Sequence, residues 1–396
     1  MQKFVQKRRW VLLAAGAAIQ LAVGIPSAFG AFFGPLREGY EISETAGTLV
    51  FACVIGFFGL GCVLGGALRD RKGPRPAALL GSGLLGGGFG LLALLPAGSP
   101  ALLILGFSAP VGLGCAFLTP AVLTAAQRWY PDRRGLATGV IGLGMGLSGA
   151  ALSLLARLLL PALGVRGGFA ALGGLLALVA AAGSLFLCDP PGEQTAPPKD
   201  QQPALQVAKS RPFLLVFAAT ALAAPSVLLF SPLIVELAAE RGLAENLAFA
   251  AVAIGSAGSA AGRLAAPALS DRLPRRGVDM GLFAALCGLS IGFAFAGGWL
   301  VLLLWAALTF CYAGQAALLP TLAVDLFGPD SAGRNYGLLA LGMSAGSVGF
   351  TLLAAALGGA PVRHLVAAVC AGVGFLALLA LGKGGGGKGQ NGPKQG

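Results

Sequence analysis

An arginine inside an apolar stretch, Arg263, is the residue best equipped for chemistry in this chain. It precedes Asp271 by eight residues, which in a helix is about 12 Å and places its backbone near the middle of a bilayer. Burying a guanidinium there costs about 3 kcal/mol on insertion scales, so the side chain is expected to face a watery cavity or an anion. Its planar fork suits a carboxylate. Polar residues at mid-span in otherwise apolar runs are candidates for the same cavity: Gln20, Ser27, Thr119 and Gln315. A second kind of chemistry is repeated. Asp70-Arg71 and Asp271-Arg272 lie 201 positions apart, each closing a long apolar stretch. Carboxylate and guanidinium groups at helix ends can pair between two halves of a molecule and hold a gate shut.

Other charged groups have weaker claims. Arg157 lies about 31 Å along its span, at the outer interface, where snorkelling accounts for it. Glu236 ends a span and reads as a gate or surface residue, and His364, the only histidine, follows Arg363 at a loop edge. Seven cysteines are scattered through apolar stretches without paired spacing, so neither disulfide nor metal is expected. No His-Glu-x-x-His, Gly-x-Ser-x-Gly or phosphate-binding loop is present, so no enzyme, cofactor or ATP-driven pump is expected.

The elements that must hold these residues are membrane helices. The 396 residues are 56% hydrophobic and only 11% charged, and the mean hydropathy is +0.83, which belongs in a lipid bilayer. Sixty-four glycines fit helices that pack through small residues. Twelve apolar runs are long enough to span: about 10–33, 46–68, 77–97, 100–124, 136–160, 168–188, 212–236, 246–270, 278–298, 300–324, 338–358 and 362–382. The ninth and tenth are divided only by Gly297-Gly298-Trp299, which matches the tight turn at 96–100 between the third and fourth.

The chain is an internal duplication. Pro26-Ser27 returns as Pro225-Ser226, Pro120 as Pro320 and Pro131-Asp132 as Pro329-Asp330, all close to the 201-residue offset of the Asp-Arg pairs. Residues 1–188 and 212–382 are therefore read as two six-helix halves. Residues 189–211, with Pro190-Pro191 and Pro197-Pro198, read as a cytoplasmic linker and 383–396 as a disordered tail. Lys7-Arg8-Arg9-Trp10 and the apolar run after it imitate a secretory signal, with Ala28-Phe29-Gly30 as a cleavage site. The run is also the repeat partner of the span at 213–236, so it is expected to stay as a span. The net charge of +12 follows topology: 21 of the 27 Lys and Arg residues fall on one side if both termini are cytoplasmic, which is the positive-inside rule and leaves no need for nucleic acid.

With twelve spans, a six-plus-six parallel duplication and Asp-Arg loops after the second and eighth spans, the chain resembles the major facilitator superfamily. Gly66, Asp70, Arg71, Gly73 and Arg75 follow the family's first loop, and Pro76 departs from it where a basic residue is usual. The resemblance implies two halves rocking about a central site, with the Asp-Arg loops as the inner gate. Arg9-Trp10, the run from Gly24 to Leu36, and Gly262-Arg263 followed by Ser270-Asp271-Arg272 resemble the oxalate/formate antiporter and monocarboxylate transporter branch. That branch implies that Arg263 clamps a substrate carboxylate. Oxalate exchangers add a lysine after a Tyr-Gly pair; here Tyr336-Gly337 is present, but the lysine position falls at about Met343. One fixed cation favours a substrate with one carboxylate. Where monocarboxylate carriers often have an acid or amide one turn before the arginine, this chain has Ser259, a further candidate contact.

The expectation is a secondary transporter of lactate- or pyruvate-like monocarboxylates in a plasma membrane, such as a bacterial inner membrane, coupled to protons as the branch implies. Exchange of organic anions without protons is the alternative, and facilitated passage of another solute with a structural Arg263 is a further one.

Overall fold

The computed structural model describes residues 2–190, 203–329, 331–357 and 360–381, and among them there is no strand. The helices are α1 (Arg8–Tyr40), α2 (Glu44–Lys72), α3 (Pro74–Leu94), α4 (Pro100–Trp129), α5 and α6 within the run Arg134–Ser184, α7 (Arg211–Glu240), α8 (Glu245–Ser270), α9 (Arg275–Ala294), α10 (Trp299–Phe327), α11 (Ala332–Ala356) and α12 (Ala360–Ala380). The run from 134 to 184 holds two spans because the chain turns at Gly164, whose φ of 70° no ordinary helical residue adopts. Twelve spans result among the described residues. The sequence boundaries shift most at α1, which continues to Tyr40, and at α11, which begins at Ala332. Residues 191–202 of the expected linker and 383–396 of the expected tail lie outside the described residues.

Prolines interrupt the first helix of each half. α1 breaks at Gly24, ahead of Pro26, and α7 breaks at Ala224, ahead of Pro225. A proline removes one amide and displaces the carbonyl four residues earlier, and in lipid those groups need new partners. Beside these breaks, Ser148 Oγ on α5 lies 2.8 Å from the Gly24 carbonyl, and Ser231 Oγ on α7 lies 3.3 Å from the Pro26 carbonyl of the other half.

Duplication is visible in the turns. The Gly98 amide, between α3 and α4, donates to the Tyr40 carbonyl at 2.8 Å, and the Gly298 amide, between α9 and α10, donates to the Arg241 carbonyl at 2.9 Å. Both glycines have positive φ. The narrow division between the ninth and tenth spans is thus a tied turn, the counterpart of the one between α3 and α4.

The halves meet along two seams, α2 with α11 and α5 with α8. Glycine makes both possible. Gly59 and Gly66 of α2 and Gly333 and Gly337 of α11 leave no room for a Cβ, and neither do Gly135, Gly146 and Gly149 of α5 against α8. Without a hydrophobic driving force between helices in lipid, backbone approach of this kind supplies the packing energy. Aromatic clusters fill each half, Phe89 with Phe107 and Phe169 in the first, Phe293 with Phe230 and Trp305 in the second. The end of the bundle that carries Asp70 and Asp271 is called the motif end below, and the opposite end the far end.

Candidate functional site

A cavity of ≈ 100 Å³ lies between the halves. A water needs about 10–15 Å³ on this scale, so the space suits a small organic solute. The first half contributes Val23, Pro26 and Ser27 from α1, Ile55 and Phe58 from α2, and Met145 from α5. The second half contributes Ser231 from α7, Ser256, Ser259 and Arg263 from α8, Trp305, Thr309 and Tyr312 from α10, and Tyr336 and Met343 from α11, among others. Tyr312 and Tyr336 line the same cavity as Arg263. Arg263 Nε, Ser256 Oγ and the Tyr312 hydroxyl are buried without a hydrogen-bond partner, and among the described residues no carboxylate pairs with Arg263. The arginine sits there because α5 is bare opposite it: a Cβ on Gly142 would stand 3.1 Å from Arg263 Cβ, and one on Gly139 would stand 3.0 Å from the Arg263 carbonyl.

Of the residues expected at the site, Arg263, Ser259 and Ser27 line this cavity and Gln20, Thr119 and Gln315 do not. Thr119 turns back on its own helix, donating to the Cys115 carbonyl at 2.9 Å. Gln20 and Gln315 are fully buried, with Gln20 Oε1 and both amide atoms of Gln315 unpartnered. Polarity alone does not give the phase of a helix that is apolar on every side. Ser256, Thr309, Tyr312 and Tyr336 were missed. Of these, Ser256 carried a signal in its spacing, since it shares one helix face with Ser259 and Arg263 at intervals of three and four.

At the motif end the two aspartates reach across the seams. Asp70 Oδ1 and Oδ2 accept from the Gly333 and Arg334 amides at 3.3 and 2.9 Å, and Asp271 Oδ1 and Oδ2 accept from the Gly135 and Leu136 amides at 3.1 and 3.0 Å. Each carboxylate therefore caps the N-terminus of a helix in the other half, where orphan amides and the helix dipole favour an anion. The expected carboxylate–guanidinium pairing through Arg71 and Arg272 is not what the structure shows, because both side chains are exposed. Helix phase turns Arg69 inward instead. It is fully buried, 3.5 Å from Asp70 and 2.6 Å from Asp189, and Arg128 stands 3.4 Å from Asp189. In the second half Arg275 pairs with Asp271 at 3.6 Å and with Asp325.

The far end carries its own contacts between halves. Arg37 donates to Glu236 at 3.1 Å, and Arg363 lies 3.7 Å from Glu44. His364 stacks on Phe230 and lies 2.9 Å from an Arg241 nitrogen. Arg157 is exposed, with its guanidinium over the Phe249 ring. Among the described residues no cluster has the makings of a metal site.

Two six-helix halves of membrane helices about a mostly apolar cavity that holds one guanidinium define a multi-pass transporter fold. The crystal structure of FucP, a Major Facilitator Superfamily transporter in the outward conformation, has the same fold, with a TM-score of 0.68 over 95% of this chain and all of that one at 15% identity. The family model of the Major Facilitator Superfamily matches residues 11–297, and the chain belongs to that superfamily. Human monocarboxylate transporter 11 is 30% identical over 290 residues, covering 71% of this chain and 60% of that protein. The Escherichia coli protein YhjX, an uncharacterized transporter of the same superfamily, is 25% identical over 357 residues, covering 87% of each chain.

Proposed function

We propose that this protein is a secondary transporter of small monocarboxylates of the lactate and pyruvate kind, working by alternating access, with the substrate carboxylate bound at Arg263. The observation that carries the reading is a guanidinium without a carboxylate partner on the wall of a cavity between two halves. Its similarity to a monocarboxylate transporter supports the substrate class. Ser259 and Ser27 are the substrate contacts retained from the expected set, and Tyr312, Tyr336 and Ser256 join them.

Residues 1–188 and 212–382 are the two moving units, joined by a cytoplasmic linker at 189–211. Asp70 and Asp271, with Arg71 and Arg272 as flanking topogenic charge, form the inner gate. The motif end faces the cytoplasm, as the surplus of Lys and Arg there favours, in a bacterial inner membrane. Opening the gate withdraws each carboxylate from the helix end it caps, at about 0.3–1 kcal/mol apiece, a cost small enough for substrate binding to offset.

Proton symport is the first reading of the coupling. Exchange of organic anions is the second, and one observation favours it: among the described residues no His, Asp or Glu lines the cavity, so none of those on its wall is suited to carry the proton. An empty carrier would then close a low-dielectric space around an uncompensated guanidinium, which disfavours return without a bound anion.

The test is uptake of labelled lactate into proteoliposomes under an inward proton gradient, wild type against Arg263→Ala. Uptake that the gradient drives and the substitution abolishes supports symport at Arg263. Uptake that needs internal unlabelled lactate and ignores the gradient supports exchange. Equal uptake by both proteins removes Arg263 from the site.

A further inference from the structure

On its outer surface the second half carries a groove of ≈ 430 Å³ between α8 and α9, backed by Phe310 of α10. Leu269 of α8, Gly277 and Gly281 of α9, and Leu273 at the motif end line it and are exposed to the bilayer. Its α9 side runs from Pro274 to Leu282, about 12 Å at helical rise, close to the roughly 15 Å of hydrocarbon in one leaflet. The duplication explains why the space exists. Leu80-Gly81 of α3 returns 201 residues later as Gly281-Leu282 of α9, with the two side chains exchanged, and Leu64-Gly65 of α2 returns as Ala265-Ala266 of α8. In the first half the glycines lie inside and the leucines outside. A Cβ on Gly81 would stand 2.8 Å from the Gly114 carbonyl and one on Gly65 2.7 Å from Phe117 Cα, while Leu64 and Leu80 are exposed. In the second half the bulk lies inside, where a Cβ on Gly314 of α10 would meet Ala266 Cβ at 3.0 Å and Leu282 Cδ1 at 3.3 Å. The outer face of α9 is left bare, since a Cβ on Gly277 or Gly281 would meet nothing within 4 Å.

A spare cation stands at the mouth. The other charges of this turn are committed: Asp271 accepts the α5 amides, Arg275 pairs with Asp271 and Asp325, and Arg276 donates to the Leu378 and Leu379 carbonyls at 2.9 and 2.7 Å. Arg272, beside Leu273, is exposed and has no such pairing among the described residues. We infer that the groove binds one anionic phospholipid, its acyl chain lying between α8 and α9 and its phosphate on Arg272. Apolar walls accept any acyl chain, so the headgroup supplies the preference. A guanidinium can meet a phosphate with two parallel hydrogen bonds, and near the membrane surface each such cation favours anionic lipid, whereas a zwitterionic headgroup brings its own cation to that phosphate.

The experiment is native mass spectrometry of the purified full chain, titrated with phosphatidylglycerol or with phosphatidylcholine of the same acyl chains. One phosphatidylglycerol is expected to bind the wild type about 5-fold more tightly than phosphatidylcholine does. Gly281→Leu, which restores the side chain found in α3, is expected to weaken that site at least ~10-fold by filling the space of the acyl chain. Ala265→Leu serves the same purpose should the first variant misfold. Arg272→Ala is expected to remove the preference between the two lipids while phosphatidylcholine binds as before, whereas Arg71→Ala, at the related position of the first half, is expected to change neither. Equal affinity for the two lipids in the wild type, an unchanged tightest site in a folded groove-filling variant, or a preference that survives Arg272→Ala would each overturn the inference. So would a dimer that Gly281→Leu dissociates, which would give the groove to a second copy of this chain.

Discussion

The two halves agree at the motif end and disagree in the cavity. Asp70 and Asp271 are related by the duplication, and so are their partners, since Gly135 and Gly333 stand 198 residues apart, the offset of Pro131 and Pro329. Both carboxylates accept from two consecutive amides at the start of a helix in the opposite half. Halfway along the same helices the likeness ends. Ile55, Phe58 and Cys62 of α2 correspond to Ser256, Ser259 and Arg263 of α8. A contact that must form and break between two halves can be symmetric, because each half treats the other alike. Recognition of a solute with one charged end cannot, because one small solute presents different ends to the two walls. Met145 and Met343 keep the symmetry within the cavity, where both faces need only apolar surface.

Breaking the asymmetry gives the largest effect. Arg263→Ala is expected to lower monocarboxylate transport at least ~100-fold, the loss of charge-assisted hydrogen bonds to a carboxylate. Cys62→Ala at the related position is expected to leave transport within about 2-fold, as measured by initial rates in proteoliposomes. Next come the seams. A Cβ on Gly135 would overlap the Pro267 carbonyl, whereas one on Gly333 would stand 2.8 Å from Asp70 Oδ1 and 2.9 Å from the Gly66 carbonyl. Gly135→Ala and Gly333→Ala should each destabilise by about 1–3 kcal/mol, with Gly135→Ala the worse, in thermal unfolding of the purified protein.

The two seam aspartates sharpen the comparison further. Asp271→Asn is expected to cost about 1 kcal/mol. Asp70→Asn should cost more, about 1.5 kcal/mol, because it also takes one counter-charge from the fully buried Arg69. Denaturation midpoints of the two variants in detergent give the order. Arg71→Ala and Arg272→Ala, both at exposed side chains, should change stability by less than about 0.5 kcal/mol, and a larger fall in either would return the guanidinium to the gate.

What the sequence revealed of this molecule follows from which signals survive without coordinates. A guanidinium in an apolar run is conspicuous whichever way it points, and so Arg263 was legible. The duplication was legible because proline, aspartate and glycine at fixed offsets do not depend on helix phase. Facing was not legible. In the segment that closes α2, Arg71 is the residue a motif draws attention to, yet a turn of about 100° per residue sends Arg69 and Asp70 inward and Arg71 out. Phase likewise decides that Tyr312 and Tyr336 line the cavity while Gln20, Thr119 and Gln315 do not, and a tyrosine ring reads as core until its surroundings are seen.

The far ends show a similar substitution of chemistry within conserved geometry. The Tyr40 hydroxyl donates to the Leu92 carbonyl at 2.6 Å, and an Arg241 nitrogen donates to the Phe293 carbonyl at 2.5 Å. Both pairs are related by the 201-residue offset. Beside them, Arg166 lies over the Tyr40 ring in one half and His364 meets Arg241 in the other. Duplicated positions thus keep a structural task while exchanging the side chain that performs it, whereas the cavity exchanged the task as well.

Equilibrium binding of labelled pyruvate to the purified protein, with wild type, Arg263→Ala and Cys62→Ala compared side by side, tests the claim that one half carries recognition. Saturable binding that lactate displaces, that the uncharged amide of lactate does not, and that only Arg263→Ala abolishes is the expected result. Unchanged affinity in Arg263→Ala, or displacement by the amide as readily as by the acid, would contradict it.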